Sequence, residues 1–267
     1  MMQKKVQIIS DGSLDLSQEL TKEKDIEVVP FYVSFDSETY QKEMVEVGVR
    51  EFYQEMVDHP TVFPKTSMPS VHDYYEVFEK YAKEQLPVIC ICITRKFSGS
   101  LQSAITAKDM ILEEYPDAQI TVIDSTVNTV LQGLYVLEAC RLRDMGLEYQ
   151  QIVDALLPIR ETGRIFFTIG SIDYLKHGGR IGKLAGIAAS ALKIKPLITL
   201  KEGEIFNSGI TRNRLKSMKK VVDMTREYLD EVNAKPGEYS FCIGYGYDHN
   251  EACPPYTPDF VALAESY

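Results

Sequence analysis

Three separated segments of this 267-residue chain carry groups suited to gripping an anion. They are Thr66-Ser67-Met68-Pro69-Ser70, Phe97-Ser98-Gly99-Ser100 and Tyr174-Leu175-Lys176-His177-Gly178-Gly179-Arg180-Ile181. The first two put small hydroxyls and backbone N–H groups where helices are expected to begin. Unpaired N–H groups and a partial positive charge at a helix start suit phosphate or carboxylate. The third segment adds glycines and an arginine. Singly, each has a plainer reading: Ser98 or Ser100 caps its helix, and Pro69 accounts for a turn at Thr66 and Ser67. Together they describe a site that holds an anion by hydrogen bonds, with neither a metal nor a nucleophile–base pair.

Other chemistries find less support. Gly178-Gly179-Arg180-Ile181-Gly182-Lys183 looks like part of a phosphate loop, but His177 stands where the first glycine belongs and Leu184 replaces the hydroxyl after the lysine. Gly244-Tyr245-Gly246 follows a predicted strand, yet His249 occupies the third glycine's place. His59, His72, His177 and His249 lie far apart, without paired metal spacing, and read as surface or loop residues. Ser98 has no hydrolase-type elbow around it. Asp11 and Asp124 both end predicted strands and either share a crevice as an acid–base pair or serve as caps and turn formers. The enzyme alternative is therefore a small-molecule phosphotransferase or hydrolase using Ser98 with Asp11 or Asp124.

The elements that must position these residues follow from the hydrophobic pattern. Val6-Gln7-Ile8-Ile9-Ser10 is a strand ending at Asp11-Gly12-Ser13, and residues 26–35 form one or two more, broken near Pro30. Helical spacing over 45–57 predicts a helix, and Pro60 and Pro64 bound a loop leading to Thr66. Ser70 or Thr66 caps the next helix, whose stripe is Tyr74, Tyr75, Phe78 and Tyr81. Val88-Ile89-Cys90-Ile91-Cys92-Ile93 has the nearly continuous apolar character of a strand buried on both faces of a parallel sheet. A helix from Ser98 or Ser100 to about 115, a strand over 120–124 and a helix over 129–145 follow. This alternation predicts a doubly wound, mostly parallel α/β domain over 1–158. The remainder, 159–267, reads as α+β: a strand over 164–169, a short helix at 173–177 stopped by Gly178-Gly179, and an Ala/Gly-rich stretch over 183–192. A hairpin turning at Glu202-Gly203-Glu204, a long amphipathic helix over 212–233 and a last strand over 239–244 complete it.

Composition narrows the partners. A net charge of −10 argues against nucleic acid and against anionic lipid surfaces, because both attract Lys and Arg. A local basic cluster remains at Lys176, Arg180, Lys183, Lys193 and Lys195. Residues 1–5 run straight into the first strand, a stretch too short for a secretory signal or a membrane span, so no stable membrane insertion is expected. The five cysteines lack metal-ligand spacing and read as buried free thiols, with Cys90 and Cys92 on one strand face; a cytoplasmic location fits.

In the order and spacing of its motifs the chain resembles the DegV family, whose characterised members are fatty-acid-binding subunits of a bacterial two-component fatty acid kinase. The likeness runs from about residue 6 to about residue 245. It rests on the opening strand with Asp11 and Ser13, and on Thr66-Ser67-Met68-Pro69-Ser70 where the family has Thr-Ser-Gln-Pro-Ser. Ser98-Gly99-Ser100 stands where the family has Ser-Gly-Thr, and Asp124-Ser125, the segment from Tyr174 to Ile181 and Lys193-Ile194-Lys195-Pro196 follow in order.

The resemblance implies a function. Thr66 and Ser98, with Ser67 and Gly99 beside them, would hold a long-chain fatty acid's carboxylate, and the acyl chain would run into an apolar tunnel between the domains. The first domain would carry the carboxylate-binding loops and the second would cover the acyl chain. The subunit would have no catalytic residue, metal or cofactor of its own. It would present the carboxylate to an ATP-binding kinase subunit that makes the acyl phosphate, with Arg180 and Arg212 docking that partner or steadying phosphate. The chain departs from the family in having Met68 for Gln. It also ends at Tyr267, before the last strand and the histidine, followed by a Gly-Pro-Gly turn, that contacts the carboxylate in the family.

Overall fold

The computed structural model describes residues 6–184, 194–247 and 257–266. The chain divides into two compact units, Met1–Gly163 and Arg164–Tyr267. The first runs β1 (Gln7–Asp11), α1 (Gln18–Glu23), β2 (Ile26–Val29), β3 (Tyr32–Ser34), β4 (Gln41–Lys42), α2 (Val49–Asp58), β5 (Lys65–Ser67) and α3 (Val71–Lys83). It continues with β6 (Val88–Cys92), α4 (Ser100–Glu114), β7 (Ile120–Asp124), α5 (Thr129–Asp144) and α6 (Tyr149–Ile159).

The apolar, β-branched runs form a parallel sheet of order β2-β1-β6-β7. Every residue of β1 and β6 is buried, because helices cover both faces. On one face Ile9, Cys90 and Cys92 pack under Tyr74 and Phe78 of α3 and Ala104 of α4. On the other, Ile8, Ile89 and Ile91 meet Val136 of α5 and Ile152 of α6. Cys90 and Cys92 share a face as their alternation requires, with sulfurs 3.7 Å apart. The unit is doubly wound, as the strand–helix alternation predicts.

Pro30 separates β2 from β3, and the chain leaves the parallel sheet there. β3 becomes the centre of a small antiparallel sheet of order β4-β3-β5, with Thr66 opposite Val33 and Ser67 opposite Tyr32. Thr66 thus lies on an edge strand rather than at a helix start. The cap of α3 is Ser70, whose Oγ accepts from Asp73 N at 3.1 Å while Asp73 Oδ2 accepts from Ser70 N at 2.8 Å. The helix expected over 45–57 begins at Val49, because 43–47 forms a turn in which Met44 N donates to Val47 O.

The second unit contains β8 (Ile165–Thr168), α7 (Asp173–His177), a 3-10 turn (Gly182–Leu184), β9 (Lys195–Lys201), β10 (Glu204–Thr211), α8 (Arg214–Glu231) and α9 (Thr257–Ser266). Its sheet is antiparallel, in the order β10-β9-β8. The β9–β10 hairpin turns through Glu202 at φ 53° and Gly203 at φ 79°, the two left-handed residues that a tight hairpin favours. Val222 and Leu229 of α8 and Leu263 of α9 form a small core. The strand expected over 239–244 is irregular, and no described strand pairs with it. Its aromatic residues pack instead, Phe241 on Phe260 and Tyr239 on Tyr228. Most of the Ala/Gly-rich stretch (185–192), Lys193 and His249 lie outside the described residues. Among the described residues no helix is long and apolar enough to cross a membrane.

Candidate functional site

The strand order reverses between β1 and β6: the chain steps from β1 to β2 on one side, then crosses to β6 on the other. Open α/β sheets bind ligands at such a point, outside the C-terminal strand ends. Here those ends carry Asp11, which closes β1, with Gly12-Ser13 next, and residues 93–100 after β6.

Asp11 is wholly buried and accepts four hydrogen bonds. Its Oδ2 accepts from Ile93 N at 2.9 Å and Ser100 Oγ at 2.7 Å. Its Oδ1 accepts from Gln132 Nε2 at 2.8 Å and Ser13 N at 3.3 Å. Burial raises its pKa above the ordinary 3.8, and the four donors only moderate that rise. The Gln132 amide is oriented by Ser10, whose hydroxyl donates to Ile91 O at 2.9 Å and so must accept from Gln132 Nε2 at 3.0 Å. Gln132 Oε1 is left buried without a hydrogen-bond partner. Gly133 lets α5 approach this turn; a Cβ there would lie 2.4 Å from Leu14 O.

Ser100 has one hydroxyl hydrogen, which it gives to Asp11. Tyr74 OH, 2.7 Å away, must therefore donate to Ser100 Oγ. The Tyr74 oxygen in turn lies 3.6 Å from the Cys92 sulfur. Burial raises the Tyr74 hydroxyl pKa well above 10.0. Glu43 closes the other side of the turn: its Oε1 accepts from Phe31 N at 2.9 Å and occupies the space that a Cβ on Gly12 would need.

The two hydroxyl segments of the first unit come together above this network. Met68 lies on Gly99, with its sulfur 2.5 Å from where a Cβ at residue 99 would stand. Gly99 occupies the cap position of α4, and Ser98 Oγ accepts from Ser100 N at 3.2 Å. That bond uses an oxygen lone pair and leaves the Ser98 hydroxyl hydrogen for an incoming acceptor. Ser98 is half-buried, and Thr66 and Ser67 are exposed. The partner of Ser98 Oγ is a backbone N–H, not a base.

Asp124 does not join Asp11. It is buried at the end of β7, where Oδ2 accepts from Arg95 Nε at 2.7 Å and Oδ1 from Thr126 N at 3.0 Å. Arg180 and Arg212 are exposed residues of the second unit. Arg180 follows the Gly178-Gly179 turn that ends α7; its N donates to Leu175 O, and Nη1 donates to Gly178 O. Arg212 lies between β10 and α8. In the basic cluster Lys176 pairs with Asp173 and Lys195 Nζ donates to Gly170 O. His59 and His72 pair with Glu55 and Glu76 on the surface. Among the described residues no group of three or more His, Cys, Asp or Glu is arranged to hold a metal ion.

Neither Gln132 nor the Tyr74 hydroxyl is among the candidate site groups that the sequence suggests, yet both join the Asp11 network. The signal at Gln132 was present: an uncharged polar residue beside a glycine on the helix face that carries Tyr135, Val136 and Ala139 inward.

Known proteins resemble the chain in sequence and in fold. The family model described as "Uncharacterised protein, DegV family" matches residues 5–260. A DegV domain-containing protein of Clostridium perfringens is 30% identical over 230 residues, 86% of this chain and 80% of its own length. A fatty acid (stearic acid)-binding protein from Eubacterium ventriosum has a solved structure that superposes with a TM-score of 0.90 at 45% identity, covering 98% of this chain and 87% of that one. A DegV family protein from Thermus thermophilus, whose structure concerns fatty acid binding, gives 0.74 at 29% identity over 85% of this chain and 78% of its own.

Proposed function

Because the chain belongs to the DegV family, we propose that it binds a long-chain fatty acid and presents the carboxylate to a separate ATP-bearing kinase for acyl phosphate formation. Thr66 and Ser98 hold the carboxylate, with Ser67 and Gly99 beside them. The observation that carries the head-group assignment is the seating of Met68 on Gly99, which makes the two hydroxyl segments neighbours. The stearic acid-binding relative at 45% identity supports the choice of ligand.

The energetics divide the work. Each methylene moved out of water contributes about 0.8 kcal/mol, so a dozen contribute roughly 10 kcal/mol before ordering costs. A hydrogen bond to a charged carboxylate adds about 1.5–3 kcal/mol. The tail therefore supplies most of the affinity and the hydroxyls orient the reacting oxygen. Arg180 and Arg212 serve the kinase or its phosphate. A carrier of this kind works in the cytoplasm and has no need of a catalytic residue, metal or cofactor.

Native mass spectrometry of gently purified protein tests the binding. The expected result is a bound mass equal to a long-chain fatty acid, lost on delipidation and restored by added stearic acid. Protein that carries none and takes up none overturns the reading. Turnover of a phosphoester or acyl ester by the isolated chain, abolished in Ser98→Ala, would favour the enzyme alternative instead.

A further inference from the structure

We propose that Tyr74, Ser100 and Asp11 are positioning residues that set the spacing between Thr66 and Ser98. The proposal rests on the reading that those two hydroxyls share a ligand carboxylate. Asp11 Oδ2 binds Ile93 N at one end of residues 94–99 and Ser100 Oγ at the other, so a single oxygen ties down both ends of the loop that carries Ser98. Ser100 Oγ is also held by Tyr74 OH, on the helix that Ser70 caps at the end of the Thr66 segment.

The three groups thus form one buried path from the Thr66 side to the Ser98 side. Its direction is fixed: Tyr74 donates to Ser100 and Ser100 donates to Asp11. All three residues are buried, Tyr74, Ser100 and Asp11 each at 0% exposure, so bulk solvent does not reach the links. At the surface Met68 of one segment lies against Gly99 of the other, an apolar contact. A ligand held by hydroxyls on two segments needs their separation set to a few tenths of an ångström, because hydrogen bonds weaken quickly with distance. The buried path is the feature that sets it.

Tyr74→Phe tests this without emptying the core, and Tyr135→Phe is the control. Tyr135 is also a buried tyrosine whose hydroxyl makes one short bond, 2.7 Å to Leu156 O, but it lies on the other face of the sheet. Two measurements are made: hydrogen exchange of residues 94–100 in ligand-free protein, and affinity for stearic acid. In Tyr74→Phe the loop is expected to exchange about tenfold faster and stearate to bind about tenfold more weakly, roughly the effect of one lost hydrogen bond. Tyr135→Phe leaves both unchanged. In a Ser98→Ala background Tyr74→Phe weakens stearate binding no further, since the group being positioned is gone. Unchanged exchange and unchanged affinity in Tyr74→Phe overturn the positioning role while stearate binding stands. Full additivity with Ser98→Ala also overturns it. A wild type that takes up no stearate overturns the underlying reading instead, and the proposal falls with it.

Discussion

Gly133→Ala should destabilise the protein although alanine is the better helix former. The residue lies in the second turn of α5, where propensity alone would favour alanine by about 1 kcal/mol. The structure opposes it. The new methyl group would lie 2.4 Å from Leu14 O and 2.8 Å from Leu16 Cδ2, where ordinary contact begins at 3.4 Å. Leu14 O is backbone and cannot swing aside as a side chain can. Helix and turn must part by about 1 Å, the shortfall at the closer contact. Overpacking of this kind costs about 1–3 kcal/mol. The same movement draws Gln132 from Asp11, a buried hydrogen bond worth about 1 kcal/mol. The balance is a net loss of about 1–3 kcal/mol after the gain in propensity. Urea denaturation followed by circular dichroism reads it as a lower midpoint at unchanged slope. A neutral or stabilised variant would refute the claim that α5 must approach the Asp11 turn this closely.

Two further outcomes are expected. Asp11 has a folded pKa above the unfolded 3.8, so between those values the native state holds a proton that the unfolded chain has lost. Stability relative to Asp11→Asn should therefore rise as pH falls through the raised folded pKa toward 3.8, the sign opposite to that of a salt-bridged aspartate, and paired urea titrations at several pH values measure it. Ser70→Ala removes the α3 cap and should lower stability by about 1 kcal/mol, with Ser70→Asp restoring most of it in the same thermal or urea assay.

The parallel sheet was legible because its strands are buried on both faces and so read as unbroken apolar runs. Val88–Cys92 is the plainest case. The hairpin at Glu202-Gly203 and the end of α7 at Gly178-Gly179 were legible through turn chemistry. β4 and β5 were not. Gln41–Lys42 and Lys65–Ser67 are short and polar, with no period to detect, and they form only because β3 lies between them. Residues 239–244 misled in the opposite direction: Tyr239 and Phe241 alternate like a strand but face aromatic partners on helices. At the site, Asp11 was visible as a polar residue closing an apolar run, and Ser98 as a hydroxyl at an expected helix start. The bonds from Asp11 to Ser100, 89 residues away, and to Gln132, 121 residues away, leave no local mark in a single sequence.

The meeting of Met68 with Gly99 has a practical meaning for engineering. A thioether resting on a bare glycine carries no charge and makes no directional bond there, so it acts as a spacer rather than a pin. Trimming residue 68 would open a notch between the two segments, and enlarging residue 99 would drive a wedge into it. On the proposed assignment of a carboxylate to these segments, bulkier head groups are best admitted by altering this seam, with the polar residues beneath it left intact.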